Sequence, residues 1–133
     1  MQMSIDFHLA LELEPAIEKV TAALKAEGFG VLSRIDVHKT FKEKLDEDFR
    51  EYVMLGACSP KLAWKAFNRE PRVGLMLPCN VTVEAAEAGG MDVKMAHPDM
   101  LLGMGGFAED PVFQELRNHA VPAFERIAAA LDE

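Results

Sequence analysis

The sequence predicts an α+β fold in one domain, a sheet covered on one face by helices. Three observations predict it. Apolar residues recur with a period of two in some segments and at helical spacing in others, and the two kinds do not alternate regularly. The last segment carries one long helical stripe: Phe113, Leu116, Ala120, Phe124, Ile127 and Leu131 are spaced 3, 4, 4, 3 and 4. Half of the 133 residues are hydrophobic and 27% are charged, enough apolar material for the core of one domain spanning residues 1–133.

In order along the chain, Met3 to Leu11 alternates (Ile5, Phe7, Leu9, Leu11 against Asp6, His8, Ala10) and predicts a first strand with one buried face. Glu14-Pro15 opens a helix in which Ile17, Val20 and Leu24 share a face, and Gly28 closes it as a left-handed cap. Gly30 to Val37 predicts a second strand. Thr40 with Glu43 fits a capping box for a short helix bearing Phe41 and Leu45, ended by Asp46-Glu47-Asp48. Tyr52 to Cys58 is an almost continuous apolar run, hence a central strand.

Ser59-Pro60 reads as a cap followed by a first-turn proline. Leu62, Ala66 and Phe67 face inward on that helix before Pro71 stops it. Val73 to Leu77 predicts a further buried strand. Asn80 to Ala86 and Met91 to Ala96, joined through Gly89-Gly90, predict a hairpin. Pro98 to Gly103 suits a single helical turn and Gly103 to Gly106 a loose connection. Asp110-Pro111 then caps the final helix, which Pro122 should bend.

The charge bounds the partners. With 22 acidic and 14 basic residues the formal net charge is −8, and no run of cations exists to displace counterions from phosphates. Nucleic acid and membrane surfaces are therefore not expected partners. Met1 to His8 has no secretion-signal pattern, no apolar run reaches the ~20 residues of a membrane span, and two cysteines are too few for a secreted disulfide framework. A cytoplasmic location is the expectation.

Chemistry is most readily carried by Cys58 and Cys79, each at the exit of an apolar strand. If the strands at 52–58 and 73–77 flank the helix at 60–69 as a right-handed crossover, they run parallel and both sulfurs emerge at one sheet edge. Cys58 also precedes a helix N-terminus, whose dipole favours a thiolate, and Lys61 could add to this. Such a pair could act as nucleophile and resolving thiol, or hold a soft metal ion with His38 or a methionine. The plainer reading is two small, reduced, buried residues. Two sulfurs do not complete a zinc site, and no metal site is predicted. His38 lies near a strand end, His119 at the boundary of the final helix's stripe, and no histidine pair has the i, i+4 spacing of a helical metal site. A small-ligand site near the central strand ends would draw on His38, Cys58, Ser59, Pro60, Lys61, Pro78, Cys79 and Asn80.

Gly28-Phe29-Gly30-Val31, Ile35-Asp36-Val37, Gly56-Ala57-Cys58-Ser59-Pro60-Lys61 and Leu77-Pro78-Cys79-Asn80-Val81, in that order, resemble the domain-of-unknown-function family 302. The resemblance implies a TBP-like β-α-β(4)-α fold, a curved, mostly antiparallel sheet, and a homodimer. It implies no activity and no cofactor. It also weighs against the parallel crossover. The functional expectation is a homodimeric module for a small ligand or an interaction, with thiol chemistry as the alternative.

Overall fold

The computed structural model describes residues 2–133. β1 (Ser4–Leu9) leads into α1 (Leu13–Ala26), and β2 (Gly30–Asp36) into α2 (Val37–Leu45). β3 (Tyr52–Cys58) precedes α3 (Pro60–Arg69), and the hairpin strands β4 (Cys79–Ala85) and β5 (Met91–Ala96) follow. The chain ends in the short α4 (Pro98–Leu102) and the long α5 (Pro111–Leu131). The strands form one sheet in the order β1-β5-β4-β3-β2, every neighbouring pair antiparallel. The four strands after α1, with helices inserted between them, and the closing helix match the expected β-α-β(4)-α order.

The period-two patterns place one row of each strand in the core. Phe7, Val93, Val83 and Val53 lie side by side across four strands, and Ile5, Met95, Val81 and Leu55 form the next row. On this face sit Ala16, Ile17, Val20 and Leu24 of α1 and the predicted α5 stripe from Phe113 to Ile127, all buried. The buried rows of α1 and α5 do not reach the opposite face. Its central row, Asp6, Lys94, Thr82, Met54 and Ile35, runs from charged at β1 to apolar at β2. Glu84 is the buried charge on that face, bound by Arg50 (2.8 Å) and Lys94 (2.9 Å); the Lys94 bond, with Arg50 helping, holds its carboxyl below the usual range.

The two sheet edges differ. The His8 N–H on β1 donates to Asp132 Oδ1 at 2.9 Å, and the His8 carbonyl accepts from the Glu133 N–H at 2.8 Å, so the last residues cover that edge. On β2, residues 32–35 are all exposed, and a bulge between Val31 and Ser33 turns Leu32 out of the ladder.

Four expectations need correction. Pro71–Leu75 is a 3-10 turn, not a strand: Pro71 and Gly74 suit a turn, the Glu70 carboxylate accepts the Arg72 N–H, and only Val73 is buried. Because that strand does not exist, there is no parallel crossover, and β3 instead pairs antiparallel with β4. α2 begins at Val37 rather than at a Thr40 capping box; Thr40 Oγ1 donates to the Asp36 carbonyl, and the Asp36 carboxylate is engaged by Arg34 and Lys39. Phe67 is partly exposed, leaving Ala66 as the buried residue of α3.

Candidate functional site

α3 and α5 run antiparallel, and their polar pairs form a ladder. Arg69 meets Asp110 at 2.7 Å, and Lys65 meets Glu115 at 2.9 Å. Next to the Lys65–Glu115 tie lies a groove of about 610 Å³ lined by Ser59, Lys61, Leu62, Trp64, Lys65, Glu115 and His119. That volume falls in the range of small-molecule sites.

The local sequence explains each wall. Ser59 is the N-cap of α3 and Pro60 its first residue, yet the Ser59 hydroxyl makes no cap hydrogen bond and stays available at the groove rim. Lys61, Trp64 and Lys65 sit at i, i+3 and i+4, so they share one helix face. The first turn of α3 contains no acid to complement the positive end of its dipole; it contains Lys61, which has no carboxylate partner among the described residues. Both features make this end electropositive in a chain of net charge −8.

Across the groove, His119 is seated by the end of α1. Gly28 at φ +90° forms the helix-ending turn in which the Phe29 N–H reaches the Leu24 carbonyl (2.8 Å) and the Gly28 N–H that of Lys25 (3.0 Å). The turn drives Phe29 into the core against Phe124 (ring centroids 5.1 Å), and the His119 ring stacks on Phe29 at 5.6 Å and 28°.

Beneath the groove, sharing Ser59 and Leu62 with it, is a chamber of about 10 Å³ bounded by Phe29, Ala57, Cys58, Leu77, Cys79 and Leu116. It has room for about one water. The antiparallel register pairs Cys79 with Ala57, so Cys58 lies one residue beyond, at the same end of the sheet. The parallel crossover expected to bring the sulfurs together is absent; both cysteines nevertheless line this chamber, and both are free. Their electrostatics run against the expected thiolate. Burial raises the Cys58 thiol above its ordinary range, and burial with Cys58 alongside pushes Cys79 up to about 12. Loss of solvation outweighs the helix dipole.

The structure divides the remaining expected site residues. Ser59 and Lys61 line the groove, and Cys58 and Cys79 the chamber. Pro60 is exposed at the start of α3. Pro78 packs over Gly56, and Asn80 pairs with Gly56 on the open sheet face. His38 is at the other end of β3, about 20 Å from Cys58 at the usual strand rise. There its Nδ1 accepts the Tyr52 N–H at 3.0 Å, tying α2 to β3. His38 is therefore not brought to the sulfurs, and no group of three His, Cys, Asp or Glu among the described residues could hold a metal ion. Trp64, Lys65, Glu115 and His119 were not among the expected site residues. The signal for them was two same-face patterns, 61/64/65 and 115/119, with nothing local to show that they meet.

Comparison with known proteins adds the family. The family described as domain of unknown function DUF302 matches residues 5–133. The chain belongs to that family. Its fold is also that of a crystal structure titled an uncharacterized conserved protein DUF302 from Bacillus stearothermophilus, at 28% identity and a TM-score of 0.83, covering 98% of this chain and 99% of that one. No curated protein matches. The DUF302 resemblance of the ordered motifs is thus confirmed along with the α+β, antiparallel architecture, and among the described residues of this DUF302 chain no helix is long and apolar enough to cross a membrane.

Proposed function

We propose that this chain is a homodimeric small-ligand-binding module whose site is the groove between α3 and α5. The carrying observation is the pairing of an open groove of about 610 Å³ with an unpaired Lys61 and an uncapped Ser59 hydroxyl at one end. The Lys65–Glu115 pair neutralises the other end. Such a site suits a small molecule with an apolar body and one anionic group. Lys61→Ala should weaken binding of such an anion about tenfold, the loss of one charge-assisted contact. Calorimetry on wild type and variant checks this, and unchanged affinity would remove Lys61 from the site.

The dimer reading is supported by the uncovered edge of β2. Its exposed Leu32 and Ile35 leave a strand whose free backbone groups another β2 could satisfy antiparallel about a twofold axis. Ile35→Lys should convert a dimer into a monomer in sedimentation equilibrium. A wild-type chain that is already monomeric at high concentration would sink this part and leave the groove standing.

Thiol chemistry, or soft-metal binding through Cys58 and Cys79, keeps one supporting observation: both cysteines line a chamber that shares Ser59 and Leu62 with the groove. The direction of both thiol pKa values weighs against it. A raised pKa means less thiolate at every pH below it, so alkylation of the native protein should be slower than for a free cysteine at pH 7. It should rise only under alkaline conditions, Cys58 before the more deeply buried Cys79. Rapid reaction of Cys58 at pH 7 would restore the thiol reading.

A further inference from the structure

We infer that the groove's ligand is an aryl anion: a planar aromatic ring carrying a single carboxylate or sulfonate. This rests on the small-ligand reading above and narrows it. Trp64, the one tryptophan of the chain, is 71% exposed although its ring is among the largest apolar surfaces available for burial. It stands on the groove wall one turn from Lys61, on the same face of α3. An exposed indole beside an unpaired ammonium offers a π-face for a ring and a cation for its acidic substituent, within one ligand's length.

The far wall limits the choice. His119 lies with its ring against Phe29, so one face of the imidazole is occupied while its edge contributes to the groove. The Leu62 side chain forms an apolar floor, and the Ser59 hydroxyl can donate to an anionic oxygen. Glu115 would repel an anion, but Lys65 holds it at 2.9 Å at the opposite end from Ser59. The arrangement therefore orients the ligand, with its acidic group toward Ser59 and Lys61 and its ring along Trp64 and Leu62. The chamber below, about 10 Å³, is too small to admit the ring, which stays in the groove. A flexible aliphatic anion would satisfy Lys61 but gain no stacking, and a neutral aryl alcohol would stack but leave the ammonium without a counter-charge.

The probes are 2-naphthoate, octanoate and 2-naphthalenemethanol, titrated into the full chain by calorimetry, with the emission of Trp64 as a second readout. The expected result is saturable binding of 2-naphthoate with quenching of Trp64, and affinity at least about tenfold weaker for each of the other two. Trp64→Leu, at an exposed position where folding is checked by thermal melting, should lower 2-naphthoate affinity about tenfold and leave that of octanoate unchanged. Octanoate binding as tightly as 2-naphthoate, or indifference of 2-naphthoate to Trp64→Leu, would overturn the aryl inference while leaving an anion site at Lys61. Equal binding of the neutral alcohol would overturn the anionic half. Failure of both anions to bind would remove the groove reading itself.

Discussion

Phe29→Ala should cost about 3–5 kcal/mol of folding stability, as truncation of a buried phenylalanine does when the surroundings cannot collapse into the space. Phe29 is 2% exposed and is held from three sides. The Gly28 turn fixes its backbone, Phe124 packs against its ring at a tilt of 54°, and His119 stacks on it toward the groove. The backbone on one side and a long helix on the other leave little to relax. Urea unfolding of wild type and variant measures the loss. The same substitution frees the His119 ring, so ligand affinity should fall even under conditions where the variant remains folded. His119→Ala provides the comparison, with a similar loss of affinity and a far smaller loss of stability. A Phe29→Ala cost below about 1 kcal/mol would mean that the core does not extend beneath the groove as described.

Gly56→Val should be the most damaging single substitution in the central strand, costing about 1–3 kcal/mol by overpacking. A Cβ at this position would collide with Ser33 Oγ and come within 2.8 Å of the Pro78 ring. Glycine here lets the Pro78 ring, which leads into β4, pack directly over β3. Valine's preference for strands works in the opposite direction, so the sign of the result decides between backbone propensity and packing. Gly30→Ala is the control, because a Cβ there meets nothing within 4 Å. Thermal denaturation of both variants should show a clear destabilisation for Gly56→Val and almost none for Gly30→Ala.

Much of the fold was legible because its signals are local. Alternation in 4–9, 79–85 and 91–96, the glycine cap at Gly28 and the stripe from Phe113 to Ile127 each follow from a period that the backbone imposes. The misreading at Val73 to Leu77 shows where such signals fail. An apolar run fits a strand as well as a turn over the core, and Gly74 with Pro71 tipped the balance toward the turn. Strand direction was legible only at the hairpin turning through Gly89-Gly90; elsewhere parallel and antiparallel neighbours bury the same rows, and the family resemblance was what pointed to antiparallel pairing.

The site was less legible than the fold for the same reason. Ser59 and Lys61 could be singled out because a helix start is visible in sequence. Glu115 and His119 stand more than 50 residues away, and only packing of α5 against α3 makes them neighbours. The cysteines show the converse. Their burial as reduced thiols matches the plainer reading, whereas the route to a shared chamber did not show in the sequence, because it depends on Phe29, Leu77 and Leu116 closing around them.

The groove is tested most directly by amide chemical-shift mapping of the isotope-labelled chain titrated with 2-naphthoate. Perturbations should concentrate at residues 59–65 and 115–119, fade across the buried strands, and vanish in Lys61→Ala at the same ligand concentration. Shifts centred on the open sheet face around Met54, Thr82 and Lys94, with residues 59–65 silent, would contradict the account.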